Sequence, residues 1–268
     1  MSPIQAALLG VVEGVTEFLP VSSTGHLILV SRWLHLGGEA IDTFDVVIQS
    51  GALAAVAGLY RHQVASMWRG LRGRDALGRQ LLGRLFVSFL PAAAAGLALH
   101  RMITAHLFGV RPVVMALALG GVAMIGVARR LAVRAPRPAK SLRSITLNDA
   151  LLIGCAQGLS LWPGTSRSMV TMVAALLLGF SAPAAAEYSF LLALPTLGAA
   201  TLFDAMRGGH VLWREAGGLS LACGFAAAAV VAVVAIRGLL CGLTRWGLAP
   251  FGWYRIGLAG VVWMVMAP

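Results

Sequence analysis

Long apolar stretches separated by short polar segments dominate the chain, and six of them approach the length that crosses a bilayer. A transmembrane α-helix needs about 20 consecutive, mostly apolar residues. The stretches carry few charges and are rich in Ala and Gly, which let helices pack closely in lipid. We therefore predict membrane-spanning helices at Phe44–Tyr60, Arg84–Leu99, Pro112–Ala128, Glu187–Phe203, Gly217–Ile236 and Pro250–Met266.

Two further apolar segments, Pro3–Leu36 and Leu147–Phe180, are each interrupted in the middle by Pro, Ser, Thr and Gly. A helix that breaks within the bilayer leaves backbone N–H and C=O groups without partners, so the break must be buried in protein or line a cavity. We predict that each segment folds as a re-entrant helical hairpin.

The two predicted hairpins resemble each other. Gly10-Val-Val-Glu13-Gly14 matches Gly154-Cys-Ala-Gln157-Gly158 at an offset of 144 residues. Three predicted spans follow each hairpin, and because three is odd, the halves enter the membrane in opposite senses. This pattern predicts two inverted-topology repeats within a single membrane domain, residues 1–143 and 144–268, with a site near the midplane at their interface. Chance similarity between two Gly-rich segments is the alternative.

Composition supports an all-α integral membrane protein. Hydrophobic residues make up 59% of the chain and charged residues 12%, whereas a soluble domain carries about 25% charged residues. Met1–Val12 lacks the positive charge that opens a secretory signal peptide, so we expect insertion by internal helices. Cys155, Cys223 and Cys241 show no metal-ligand spacing, and their apolar neighbours predict thiols buried in the core.

The net charge of +11 is concentrated in two places, around Arg61–Arg84 and Arg129–Arg143. Both clusters flank predicted spans, so they fit the excess of Lys and Arg in cytoplasmic loops. This placement argues against nucleic acid as a partner and favours anionic membrane-lipid headgroups.

Polar side chains inside apolar segments are costly and mark functional sites by default. In the first hairpin, Glu13 and Glu17 lie four residues apart and share one helix face. Two such carboxylates need a cation, a shared proton or a basic partner, and Mg²⁺ would also suit phosphate oxygens; a hydrated helix end is the alternative. The Pro-interrupted turn that follows offers hydroxyls and a proton carrier at Ser22, Ser23, Thr24 and His26.

The second hairpin contains Pro163-Gly164-Thr-Ser166-Arg167-Ser168, a turn that leads into a predicted helix. Backbone N–H groups at such a start attract anions, and the Arg167 guanidinium can hold phosphate with two parallel hydrogen bonds. Thr171 follows Ser168 by three residues and can face the same space. A salt bridge from Arg167 to Glu13 or Glu17 is the simpler interpretation, and both can hold when no substrate is bound.

Carboxylates and a proton carrier from one hairpin, with a phosphate-binding group from the other, indicate hydrolysis of a phosphoryl group assisted by a metal ion. A different class of protein fits the same architecture. Inverted repeats with broken helices are also typical of transporters, so a lipid-phosphate or anion carrier or flippase is the rival hypothesis.

Glu13-Gly-Val-Thr-Glu17-Phe-Leu-Pro-Val-Ser-Ser-Thr-Gly-His26 and Pro163-Gly-Thr-Ser-Arg-Ser168 resemble the two signature motifs of the undecaprenyl-diphosphate phosphatases, the bacitracin-resistance family. The likeness extends to Phe44–Gln49 and Glu187–Leu192. It implies hydrolysis of the C55 isoprenoid diphosphate to the monophosphate carrier lipid of peptidoglycan synthesis. It further implies dependence on Mg²⁺ or Ca²⁺, and a site in the bacterial cytoplasmic (inner) membrane that opens to the periplasm.

The family's active-site positions fall here on Glu13, Glu17, Ser23, His26, Ser166, Arg167 and Thr171. The expected roles are metal binding by Glu13 and Glu17, one of which can act as base, and diphosphate binding by Arg167 with Ser166 and the turn amides. Either His26 or Ser23 is the nucleophile, or His26 transfers protons to and from an attacking water. Ser22, Thr24, Gly164 and Ser168 are expected to line the phosphate site. Oligomeric state is left open, with a homodimer as one option.

One departure from the family pattern is Met169, where the family usually has Gly. A side chain at this position is expected to narrow the cavity or shift the start of the helix, and so to affect substrate preference.

Overall fold

The computed structural model describes residues 1–107, 109–133 and 138–266, and these fold into ten α-helices without a β-strand. One isolated bridge joins Lys140 to Phe180. Short 3₁₀ helices occur at Leu142–Ser144 and Gly158–Leu161. The α-helices are α1 Pro3–Thr16, α2 Ser23–Trp33, α3 Glu39–Leu59, α4 Arg61–Leu71, α5 Ala76–His106, α6 Val110–Ala132, α7 Leu147–Gln157, α8 Arg167–Leu177, α9 Ala182–Trp246 and α10 Ala249–Met266.

Four stretches of helix within the described residues are long and apolar enough to cross a membrane: Ala76–Ile103, Val110–Ala132, Ala182–Met206 and Ala216–Trp246. Thr43–Leu59 and Arg61–Leu71, bent by 85°, form a fifth candidate. Large apolar side chains point outward from the spanning helices, among them Leu97, Leu119, Val122, Val230 and Val234. The prediction of a multi-pass, all-α membrane protein is therefore confirmed.

The sixth predicted span, Pro250–Met266, forms α10 but is not among the helices that meet the length and composition of a span. It carries Arg255, which is fully buried against its neighbours rather than facing outward. Within α9, the second spanning stretch begins at Ala216, next to Gly217, whose φ of 75° and ψ of 154° interrupt the helix.

The first basic segment is helical rather than a loop. Arg61 begins α4, which is amphipathic and ends at Leu71, and the turn that follows is closed by Asp75. Asp75 caps α5 by accepting a hydrogen bond from the Gly78 N–H at 2.9 Å. In the second basic segment, Arg134 and Arg137 lie outside the described residues.

Both hairpins form, with α1 and α2 in the first and α7 and α8 in the second. Each hairpin packs through a glycine, because its backbone approaches the backbone of a neighbouring helix too closely for a side chain to fit. A Cβ at Gly10 would lie 2.3 Å from the Gly224 carbonyl oxygen of α9. A Cβ at Gly154 would lie 2.5 Å from the Ser88 carbonyl oxygen of α5. Both hairpins are thus packed closely against long helices.

The cysteine prediction is wrong for at least two positions. Cys155 and Cys241 are exposed and Cys223 is half-buried; all three are free thiols. In a membrane protein the outer surface of a spanning helix meets lipid, so apolar neighbours in sequence do not imply burial in the protein.

Candidate active site

An ion pair joins the two hairpins at their broken middles. The Arg167 Nη2 atom lies 3.2 Å from Glu17 Oε1, and both side chains are more than 90% buried. The other carboxylate oxygen of Glu17 accepts a hydrogen bond from the Ser23 hydroxyl at 2.8 Å. Glu17 thus connects Arg167, the predicted phosphate-binding residue, to Ser23, a predicted nucleophile. Glu17 and Arg167 are 150 residues apart in the sequence.

The guanidinium of Arg167 is fixed by more than this ion pair. Nη1 donates to the Ser189 carbonyl oxygen at 2.8 Å, and the Phe18 ring lies 5.9 Å from Cζ. Arg167 Nε is buried and has no hydrogen-bond partner among the described residues. One donor of the guanidinium therefore stays available to an incoming anion.

Hydroxyl groups of α8 tie this arginine to both halves of the chain. Ser168 donates to the Leu19 carbonyl oxygen at 3.0 Å, which locks the start of α8 onto the turn of the first hairpin. Thr171 shares a hydrogen bond of 2.7 Å with Ser189 and donates to the Arg167 carbonyl oxygen at 2.9 Å. Thr171 therefore links the backbone of Arg167 to Ser189 and helps to fix the position of the arginine.

A cavity of about 240 Å³ opens at this junction. Of the predicted site residues, Glu17, Ser22, Ser23, Thr24, Gly164, Ser166 and Arg167 line it. Glu13, His26, Ser168 and Thr171 do not. Gln49, Ser160 and Thr196 contribute further polar groups to the lining.

Glu13 lies behind the cavity and is fully buried. Neither carboxylate oxygen has a hydrogen-bond partner among the described residues. Glu17, Asp45 and Arg167 are close enough to act on it electrostatically. A buried carboxylate with no hydrogen bond is costly unless a cation or a proton compensates its charge.

His26 is held between two partners rather than next to Glu17. Its Nδ1 is 2.8 Å from the Ser22 carbonyl oxygen, which can only accept, so Nδ1 carries a proton. Nε2 then accepts from the Tyr254 hydroxyl at 2.7 Å, and the two rings stack with centroids 5.7 Å apart. Both nitrogens are engaged, so His26 supports the Ser22 turn.

Ser22 and Ser166 share an uncommon backbone conformation, each one residue before a helix. Ser22 has φ 73° and ψ 103°, and Ser166 has φ 72° and ψ 111°. A positive φ in a non-glycine residue costs about 1–3 kcal/mol and occurs disproportionately at functional sites. The Ser166 hydroxyl caps α8 by accepting from the Met169 N–H at 3.3 Å. Both turns present hydroxyls to the same cavity.

Met169 does not narrow the cavity. Its side chain is buried in the main apolar core and is not part of the cavity lining. The expectation that this residue narrows the cavity is therefore wrong, because its side chain packs into the core; the alternative, a shifted start of α8, stays a prediction.

Arg255 of α10 is a central polar residue that sequence reasoning missed. It is fully buried, and Nη2 donates to the Gly164 carbonyl oxygen at 2.9 Å and to the Ala116 oxygen at 3.0 Å. Longer contacts of 3.4 Å reach the carbonyl oxygens of Pro20 and Leu117. Pro20 belongs to the first broken turn and Gly164 to the second, so one guanidinium holds both turns against α6.

Comparison with known proteins identifies the family to which this chain belongs. The sequence model of the family described as Bacitracin resistance protein BacA matches residues 6–261. The chain belongs to this family. The resemblance drawn from the two motifs is thereby confirmed for nearly the whole chain.

Three curated relatives of this BacA family member are named as undecaprenyl-diphosphatases. A protein of Sorangium cellulosum named Undecaprenyl-diphosphatase is 51% identical over 258 residues, 96% of this chain and 84% of that protein. Undecaprenyl-diphosphatase 2 of Rhodospirillum rubrum is 43% identical over 260 residues, 97% of this chain and 93% of that protein. The Undecaprenyl-diphosphatase of Methylococcus capsulatus is 44% identical over 260 residues, with the same coverage of 97% and 93%.

Other site residues in this family member escaped the sequence analysis because they belong to predicted spans. Asp45 and Gln49 lie four residues apart on α3, the same spacing that singled out Glu13 and Glu17. That spacing inside an apolar stretch was an available signal for them. Ser189 and Tyr254 act through contacts made by tertiary folding, and no local pattern marks them.

Proposed function

We propose that this protein is a membrane phosphatase that hydrolyses undecaprenyl diphosphate to undecaprenyl phosphate and inorganic phosphate, and so recycles the carrier lipid for peptidoglycan synthesis. The observation that carries the proposal is the chain of contacts from Ser23 through Glu17 to Arg167 beside one cavity. These contacts support a mechanism in which Ser23 acts as the nucleophile, Glu17 as the base and Arg167 as the guanidinium that binds the same phosphate group. The shared name of the relatives supports the same substrate.

In this proposal Arg167 binds oxygens of the diphosphate, aided by the positive end of the α8 dipole and the hydroxyl of Ser166. Ser22, Thr24 and Gly164 line the rest of the phosphate site. Substrate oxygens replace Glu17 as the main partner of the guanidinium, which frees the Glu17 carboxylate to act as a base.

The geometry favours Ser23 over His26 as the nucleophile. Ser23 lines the cavity, and its hydroxyl already donates a hydrogen bond to the Glu17 carboxylate. Such an arrangement activates a hydroxyl as a nucleophile. The Ser23 oxygen attacks the terminal phosphorus, its proton passes to Glu17, and the lipid monophosphate leaves. Water then hydrolyses the phosphoserine and releases inorganic phosphate.

We further propose that Glu13 and Glu17 hold Mg²⁺ or Ca²⁺. The buried, unpartnered carboxylate of Glu13 fits a cation, which would supply the missing charge compensation. Among the described residues, no three His, Cys, Asp or Glu side chains converge on a metal position. Mg²⁺ commonly takes one or two carboxylates and completes its shell with substrate phosphates and water, so two protein ligands suffice. When bound, the ion would neutralise charge that develops on the phosphoryl oxygens.

Removal of metal is therefore expected to abolish activity. Purified protein in detergent, given farnesyl diphosphate or a longer analogue, should release inorganic phosphate with Mg²⁺ or Ca²⁺ present and lose that activity in excess chelator. Restoring the ion should restore the rate. Full activity in excess chelator would contradict the metal proposal, and absence of phosphate release under every metal condition would instead favour a carrier.

For the architecture, we propose two inverted-topology repeats in the bacterial inner membrane, with the cavity open to the periplasm. The matching conformations of Ser22 and Ser166 support the repeat, since these residues are separated by the same 144 positions as the matching glycine motifs. Three spans are predicted after each hairpin, and an odd number of spans is what opposite orientation of the two repeats requires. The basic clusters near Arg72 and Lys140 support a cytoplasmic position for the other face.

Cysteine labelling tests this topology. The natural thiols must first be replaced, because Cys155 and Cys241 are exposed. New cysteines at Ala105 and Gly209 are expected to react with a membrane-impermeant reagent from the periplasm, and new cysteines at Arg72 and Lys140 only after the membrane is opened. Finding position 105 or 209 on the cytoplasmic face would rule out the inverted repeat.

A further inference from the structure

A second and larger cavity, of about 590 Å³, lies at a different level of the molecule from the candidate active site. The two cavities share no lining residue. On α9, Glu187 lines the larger cavity and Thr196 lines the smaller one, and nine residues of helix correspond to about 13.5 Å along the axis. The volume falls within the range of about 300–1,000 Å³ typical of ligand sites.

Positive charge is available in this larger cavity. Arg84, on α5, is half-buried there, yet its guanidinium makes no hydrogen bond or ion pair with any described residue. Arg143 and His62 add a second guanidinium and an imidazole from other elements. Of the described residues that line the cavity, Glu187 is the one carboxylate, and its Oε1 already accepts a hydrogen bond from Gln63 at 2.6 Å. An uncompensated guanidinium in a partly dry cavity favours an anionic ligand.

Part of the remaining lining is apolar, and the cavity lies where the membrane surface is expected. Leu77, Leu81 and Leu142 provide side chains that suit the hydrocarbon portion of a ligand. The cavity adjoins the 85° bend after Leu59, where apolar α3 gives way to amphipathic α4. Ser141 and Ser181, the latter at the start of α9, contribute hydroxyls to the same lining. Such a mixture matches a molecule with an apolar chain and a phosphate end.

We propose that this cavity binds the phosphate headgroup of a membrane lipid, with Arg84 and Arg143 holding the phosphate and the leucines contacting the adjoining chain. The site is separate from the Arg167 cavity. It is independent of the hydrolytic proposal, because it requires no reaction at Glu17 or Ser23.

Phosphatidic acid and inorganic phosphate are the probes that distinguish a lipid from a free ion. The full-length protein in mild detergent would be titrated with phosphatidic acid, phosphatidylcholine or inorganic phosphate, with bound lipid counted by native mass spectrometry and Tm measured in parallel. Phosphatidic acid is expected to bind and raise Tm, and the other two to have little effect. In the double variant Arg84→Gln/Arg143→Gln, binding of phosphatidic acid should weaken roughly tenfold or more.

The double variant Arg129→Gln/Arg130→Gln is the matched control. It removes the same charge from exposed arginines at the end of α6, outside the cavity. It should retain binding, whereas equal losses in both variants would show attraction to surface charge and overturn the proposal. A Tm rise with inorganic phosphate as large as that with phosphatidic acid would also overturn it. Phosphate release from farnesyl diphosphate serves as the check that the cavity variants are folded, since neither arginine lies at the active site.

Discussion

Replacing Arg167 by Lys is expected to lower turnover by about 10²–10³-fold, equivalent to roughly 2.7–4 kcal/mol of transition-state stabilisation. Lysine keeps the charge, but a single ammonium cannot pair with Glu17, contact the Ser189 carbonyl oxygen and bind phosphate in two places. Protein yield and Tm should change far less than turnover. The measurement is inorganic phosphate released from farnesyl diphosphate under saturating substrate and metal.

The link between hairpins is tested by adding Glu17→Gln, alone and together with Arg167→Lys. Because Glu17 contacts both Ser23 and Arg167, the two residues should act as a unit, and the double variant should be little worse than the poorer single one. Arg237→Lys, a change at an exposed arginine elsewhere on α9, is the control. Near-normal turnover in Arg167→Lys, or losses that multiply independently, would show that the hairpins do not form one site.

The second large effect is expected at Arg255. Arg255→Met leaves the buried Gly164 carbonyl oxygen without its donor, at a cost of about 1–3 kcal/mol, and removes the second hydrogen bond of the Ala116 carbonyl oxygen, which keeps its bond within α6. The broken turns would then shift relative to each other, and a misplacement of about 1 Å can reduce turnover by about 10²-fold. We expect a lower Tm together with a lower kcat, measured on the same preparation by thermal shift and phosphate release.

Two further variants separate positioning from stability. Gly120→Ala does not replace Arg255, but the new Cβ would clash with the Arg255 Nη2 atom. The guanidinium would therefore have to shift from its position between the two turns. This variant should lower kcat while the charge is kept. Trp253→Leu, at an exposed neighbour on α10, should change neither kcat nor Tm by much. A kcat that stays normal in both Gly120→Ala and Arg255→Met would reduce Arg255 to a stabilising residue without influence on the site.

Much of the site was predictable because polar groups in apolar segments stand out. Glu17, Ser23 and Arg167 were singled out for that reason, and the structure places them in direct contact. The hairpins were predictable from their interrupted apolar pattern, since a lipid-facing break would be too costly. Charge alone predicted a salt bridge from Arg167 to Glu13 or Glu17, and the structure shows that the partner is Glu17.

The roles that could not be predicted from the sequence depend on tertiary contacts, several of them with the backbone. Arg255 is compensated by carbonyl oxygens, and every residue has a carbonyl, so no complementary side chain in the sequence points to it. The role of Tyr254 depends on α10 reaching α2, which no local periodicity encodes. The cysteines were misjudged for a different reason: apolar patterning shows that a helix lies in the membrane, but not which face turns to lipid.

The close packing of α1 against α9 has a consequence for biogenesis. Gly10 and Gly14 contact Gly224 and Ala228, so the partner surface of α1 is synthesised more than 200 residues later. Until then Glu13 lacks that surface, and a carboxylate in bare lipid is strongly disfavoured. The first hairpin emerges from the ribosome first but can settle into the membrane only near the end of translation. A chain stopped before α9 should therefore leave this hairpin at the membrane surface, accessible to protease.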